Sequence, residues 1–226
     1  MEKIKAIVFD LDGTLYDLSD TVKMYYKIEI EFLKSYFGKT EDEAKAFLDE
    51  NGILPYVSPK AKSATEFFLK IGVPKEVWSA FREEHFDVSG IDKTKAASND
   101  TVKAFSAAAP IFLLSSNTYA NIEKILQRLE IKPEIFTDIL CSDRSKCSGA
   151  FNKKEVMQNL SESIGIPCGN MLSVGDRFAT DVAPMLELGG MGVIVNSPKA
   201  LEKLFKNIFN DYLISCEEYV FFEKLQ

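Results

Sequence analysis

Apolar residues along this chain follow two different periods, and the switches between them divide it. Lys3 to Phe9 is an apolar run rich in β-branched residues, which predicts a buried strand. From Thr21 to Phe37 the spacing becomes three and four, with Val22, Tyr25, Tyr26, Phe32, Leu33 and Tyr36 on one helical face. Thr40-Glu41-Asp42-Glu43 has the form of a capping box and opens a second helix, to about Asp49. Ser58-Pro59 predicts the start of a third, with Ser58 as N-cap and Pro59 at the first helical position. Ile71-Gly72-Val73-Pro74 ends it, and Pro74 opens a fourth helix to about Phe86. No strand pattern interrupts Asp17 to Ser89. Four amphipathic faces in sequence need one another, so this stretch reads as a helical insertion.

Strands and helices then alternate. Ser98 or Asn99 caps a helix ending near Ala109, and Ile111 to Leu114 is a short buried strand running into Ser115-Ser116-Asn117. A helix to about Glu130 precedes a strand at Asp138 to Cys141. Asn152-Lys153-Lys154-Glu155 predicts a second capping box, with a helix to Gly165. Met171 to Val174 is a strand ending in Gly175-Asp176, and Phe178 to Leu188 is helical. Then come a strand at Met191 to Val195, a helix at Pro198 to Phe209, a short strand at Tyr212 to Ile214 and a closing helix at Glu217 to Leu225. This alternation predicts an α/β fold: a Rossmann-like parallel sheet with helices on both faces. The expected division is a core of residues 1–16 and 90–226 with a helical domain at 17–89.

Composition narrows the function. The chain has 226 residues, is 46% hydrophobic and carries a net charge of −7. That supports a sizeable core and argues against a nucleic-acid polymer as partner. No apolar run approaches the ~18 residues of a membrane span, no signal peptide pattern opens the chain, and a cytoplasmic protein is expected. Cys141, Cys147, Cys168 and Cys216 form no Cys-x-x-Cys pair, so zinc is not expected. The one histidine, His85, lies in a charged helical segment, so chemistry here should not depend on histidine. Oligomeric state is not legible.

The candidate chemistry sits where three strands end. Asp10 and Asp12 follow the first strand with Gly13 behind them, Ser115, Ser116 and Asn117 follow the second, and Asp176 with Asp181 follow a later one. Parallel strands put such ends on one edge, where open α/β sheets bind ligands. Two acids at a buried strand end cost free energy unless a cation or donors offset them. A calcium loop starting at Asp10 would need Gly and Glu at its sixth and twelfth positions; Leu15 and Thr21 stand there.

Asp10-Leu11-Asp12-Gly13-Thr14-Leu15 after a strand resembles the signature of the haloacid dehalogenase-like superfamily. Ser116-Asn117 resembles its second motif, Lys153 or Lys154 its lysine, and Gly175-Asp176-Arg177-Phe178-Ala179-Thr180-Asp181 its Gly-Asp-x-x-x-x-Asp motif. The proline that often follows the lysine is absent. The helical stretch resembles the family's inserted cap, whose aromatic residues, Tyr16, Tyr25 and Tyr26 among them, serve either a pocket or the core. The resemblance implies a Mg²⁺-dependent phosphatase acting on a small phosphorylated metabolite. Asp10 would be the nucleophile and Asp12 the acid and base. Asp10, Asp176 and the Asp12 carbonyl would hold the metal. Ser116, Asn117 and Lys153 would hold the phosphate, with Asp181 behind the lysine or the metal waters. Asp12 favours phosphoryl transfer, since the family's dehalogenases do not keep it. A phosphomutase or a non-catalytic binding protein on the same fold are the alternatives. Between the lysines, Lys153 is expected to be the inward one, because Val156, Met157, Leu160 and Ile164 continue its helical face.

Overall fold

The computed structural model describes residues 4–56, 58, 62–148, 151–209 and 216–223. They form an α/β protein whose chain divides into two compact units, Met1–Asp17 with Asp92–Gln226, and Leu18–Ile91.

The first unit is built on a six-stranded sheet. Its strands are β1 (Ala6–Phe9), β2 (Ile111–Ser115), β3 (Asp138–Cys141), β4 (Met171–Gly175), β5 (Met191–Val195) and β6 (Tyr219–Glu223), in the order β3-β2-β1-β4-β5-β6. All pairings are parallel except β5 with β6. β1 lies between β2 and β4, with Phe9 opposite Leu113 on one side and Val174 on the other. Central parallel strands are covered on both faces, which explains their largely apolar sequences.

Alternation along β1 sends its side chains to two cores. Phe9 packs edge-on against Phe105 of α5 (Asn99–Ala108), and Phe105 against Phe205 of α9 (Ala200–Phe209), at 5.0 and 5.1 Å. Ala6 and Val8 enter the other core with Val156, Met157 and Leu160 of α7 (Lys153–Ile164) and Met185 of α8 (Ala183–Glu187). The remaining helix, α6 (Tyr119–Leu129), buries Ile122, Ile125, Leu126 and Leu129.

The second unit contains α1 (Ser19–Phe37), α2 (Glu41–Glu50), α3 (Ala64–Lys70) and α4 (Lys75–Glu84). Phe32 is its centre, with edge-on contacts to Phe68, Trp78 and Phe81 at 5.0 to 5.2 Å. Tyr25 and Tyr26 are partly buried against this core. Glu29 of α1 is a buried carboxylate. Burial pushes it from an ordinary 4.5 up to about 8, while Arg82 opposes the rise. A raised folded-state value means the native protein holds this proton more tightly than the unfolded chain. The stabilisation is complete below about 4.5 and lost as pH rises through about 8. Glu29→Gln should therefore gain on wild type across that window, on the order of 5 kcal/mol in all. Paired thermal melts from pH 4.5 to 8.5 test this, and a difference that does not change with pH contradicts it.

Several local expectations are corrected. β1 starts at Ala6, after Ile4 and Lys5. The third helix starts at Ala64 and is capped by Ser63, whose hydroxyl accepts from the Glu66 N–H at 3.3 Å; Ser58 is not helical and Pro59 lies outside the described residues. At α7 the cap is one-sided. Asn152 accepts from the Lys154 and Glu155 N–H groups, but Glu155 turns to the N–H and hydroxyl of Ser148. Phe178 to Val182 is a π-helical turn, and the α-helical part begins only at Ala183. The closing helix is instead β6, because a short aromatic and β-branched run fits either period and here completes the open edge of β5. The strand expected at Tyr212 to Ile214 lies outside the described residues.

Candidate active site

The carboxyl ends of β1, β2 and β4 converge. Asp10 follows β1, and its N–H donates to Val174 of β4 at 2.8 Å. The chain then turns at Gly13, which has φ +86°; a Cβ there would come within 2.4 Å of the Asp176 carboxylate. Glycine thus lets the first strand's turn lie against the end of β4. A Cβ on Gly175 would meet the Asp181 side chain at 2.3 Å, so that motif also depends on close approach.

Lys153, at the start of α7, reaches into this edge. Its Nζ donates to Asp10 Oδ1 at 2.5 Å and to Asp181 Oδ1 at 2.8 Å. Lys154 instead pairs with Glu187 on the surface at 2.7 Å. The helical face inferred for Lys153 is therefore the inward one. Asp181 is buried, with Oδ1 also accepting from Thr180 at 3.0 Å and Oδ2 from the Arg177 N–H at 2.9 Å. That last donor stands immediately before the π-helical turn that carries Asp181.

Oxygens of Asp10, Asp176 and Asp181 lie within 4.8 Å of one another, the one such acidic cluster found among the described residues. Burial, the largest influence, pushes Asp10 up to about 8; Lys153 pulls down, while Asp181 and Asp12 add to the rise. Burial also lifts Asp176 to about 6, helped by Asp181 and opposed by Arg177. For Lys153, burial works against the ammonium, but Asp10 and Asp181 outweigh it and raise its pKa. One buried ammonium thus serves an excess of carboxylates. Hard oxygen donors with unbalanced negative charge suit a metal ion such as magnesium.

Asp12 has different surroundings. Its Oδ1 accepts from the Tyr16 hydroxyl, and its Oδ2 from Asn117 Nδ2 at 2.8 Å and from Ser115 Oγ at 3.4 Å. An amide nitrogen can only donate, whereas a phenol can donate or accept, so Oδ1 can take a proton without losing its partner. The Asp12 carboxylate is not one of the three acids in that cluster. Ser116, one residue beyond β2, is exposed, and Asn117 is buried with its amide on Asp12. Tyr16 and Ser115 are partners of Asp12 that the sequence does not single out: Tyr16 stands there between a pocket and the core, and its spacing of four from Asp12 is the available signal. Thr14 is fully buried and donates to Asp10 Oδ2 at 3.5 Å.

The haloacid dehalogenase-like hydrolase family model matches residues 4–189, and the chain belongs to that family. No curated protein matches it in sequence. Among solved structures it is similar to a HAD phosphatase from Thermococcus onnurineus, at 16% identity and TM-score 0.59, over 89% of this chain and 97% of that one. It is also similar to the HAD family enzyme BT-2542 of Bacteroides thetaiotaomicron, solved with magnesium and inorganic phosphate. There the identity is 18% and the TM-score 0.51, over 89% of this chain and 99% of that one. A 2-haloacid dehalogenase from Pseudomonas syringae matches too, at 15% identity and TM-score 0.52, over 92% of this chain and 99% of that one. At these identities the likeness is one of fold, and fold alone does not choose between phosphatase and dehalogenase.

Proposed function

We propose that this hydrolase is a magnesium-dependent phosphomonoesterase acting on a small phosphorylated metabolite. The supporting observation is the division between the two β1 carboxylates. Asp10 lies with a buried lysine and two further acids, whereas Asp12 is held by neutral donors. Carboxylates kept in separate environments can take separate roles. Asp10 attacks phosphorus, forming a bond to phosphorus as the bond to the leaving oxygen breaks. Asp12 gives its proton to that oxygen, then takes one from the water that cleaves the aspartyl-phosphate and frees phosphate. Lys153 and Ser116 hold phosphoryl oxygens, whereas Asn117, expected beside them, has its N–H on Ser115 Oγ at 3.1 Å and its amide on Asp12. Asp181 keeps Lys153 extended toward the site. Asp10, Asp176 and the Asp12 carbonyl would hold magnesium, which neutralises the phosphate dianion when bound. The helical unit serves as the family's cap and selects the substrate. Among the described residues no helix is long and apolar enough to cross a membrane.

Phosphate release should be screened over a panel of phosphorylated metabolites. Turnover is expected with Mg²⁺, none in excess EDTA, and inhibition by Ca²⁺, which takes more ligands at longer distances. Full activity in EDTA or calcium contradicts the metal role. Isomer formation without free phosphate would make the protein a mutase, and silence across the panel a binding protein.

A further inference from the structure

We propose that Tyr16 is a positioning residue for Asp12: its phenol and the Asn117 amide grip one carboxylate oxygen each and fix the direction in which Asp12 meets the leaving group. This rests on the reading of Asp12 as the acid in phosphoryl transfer.

Tyr16 is completely buried, and a buried hydroxyl without a partner costs free energy. Its partner is Asp12 Oδ1. The backbone holds the two together. Leu15 N donates to Leu11 O at 2.9 Å, closing the turn at Gly13, and Asp12 and Tyr16 form an isolated β-bridge. The other side of the turn is tied down as well, since Leu15 O accepts from Ala97 N at 2.8 Å. Asn117 comes from beyond β2, 105 residues away, and its N–H is fixed on Ser115 Oγ at 3.1 Å. Two rigid donors on opposite oxygens leave the carboxyl plane little freedom to turn. A Phe or Leu at position 16 would fill the same space without holding Oδ1. The hydroxyl is therefore the informative atom, and misplacement of a catalytic group by about 1 Å can cost about a hundredfold in rate.

The test uses two aryl phosphates. Phenyl phosphate loses a basic phenolate that needs a proton, and 2,4-dinitrophenyl phosphate loses one that does not. With either, kcat/KM reports only the steps up to formation of the aspartyl-phosphate. Tyr16→Phe should lower kcat/KM for phenyl phosphate by about ten- to a hundredfold and for the dinitrophenyl ester by less than about twofold. Asn117→Ala should show the same preference for the activated ester on top of a general loss, and covers the case in which Tyr16→Phe does not fold. Equal losses on both esters in both variants would mean that the two residues are structural, and overturn the proposal. Asp12→Asn, measured alongside, separates the two levels of inference. If it too lacks a leaving-group preference, the acid role of Asp12 fails. If it shows one and Tyr16→Phe and Asn117→Ala do not, only the positioning role fails.

Discussion

Asp10→Asn should lose at least about a thousandfold in phosphate release, with the fold intact. Asparagine keeps the shape of the side chain and can still accept from Lys153. It lacks the charge that makes the group a nucleophile. Burial already pushes the Asp10 carboxyl up to about 8, and Lys153 keeps Asp181 as a partner, so the variant should melt no lower than wild type. Incubation with substrate and acid quench should trap phosphate on wild type and not on the variant. Near-normal turnover in a variant purified free of wild type would remove Asp10 from the chemistry.

Lys153→Ala should damage both activity and stability, and Lys154→Ala neither. Lys153 is the cation between Asp10 and Asp181, and its removal leaves two buried carboxylates without their partner. Breaking a buried pair in this way costs about 3–5 kcal/mol. Loss of a donor to the phosphoryl group should lower kcat/KM by about a hundred- to a thousandfold. Lys154 makes an exposed pair with Glu187, and such pairs contribute about 0–1 kcal/mol. Melting curves and kcat/KM for the two single variants decide the matter. A large loss in Lys154→Ala with little change in Lys153→Ala would reverse the assignment.

Both predictions lean on residues legible in the sequence, and their legibility has a local cause. A strand buried on both faces writes itself as an apolar run, and the acids at its end stand out because nothing else in the run is polar. Helical periodicity sorted Lys153 from Lys154 for the same reason: four apolar positions define a face, and a residue belongs to it or not. Thr40 and Glu43 form the expected reciprocal cap because both partners lie within one turn. Asn152 and Glu155 have the same spacing, yet Glu155 binds Ser148, a competitor that the four-residue window does not contain.

The α/β class, the helical insertion, the family motifs and which carboxylates end which strands can all be read from the residues alone. All of these follow from periods and caps that are satisfied within a few residues. The three-dimensional fold was needed for the strand order that sets β1 between β2 and β4 and brings Asn117 to Asp12. It also decided the pairing of Tyr219–Glu223 with β5, and the π-helical turn that carries Asp181 to the Arg177 N–H. These turn on partners distant in the chain. A short aromatic run, a buried phenol or an amide has several local conformations of similar free energy, and the hydrogen bond or packing surface waiting elsewhere selects among them.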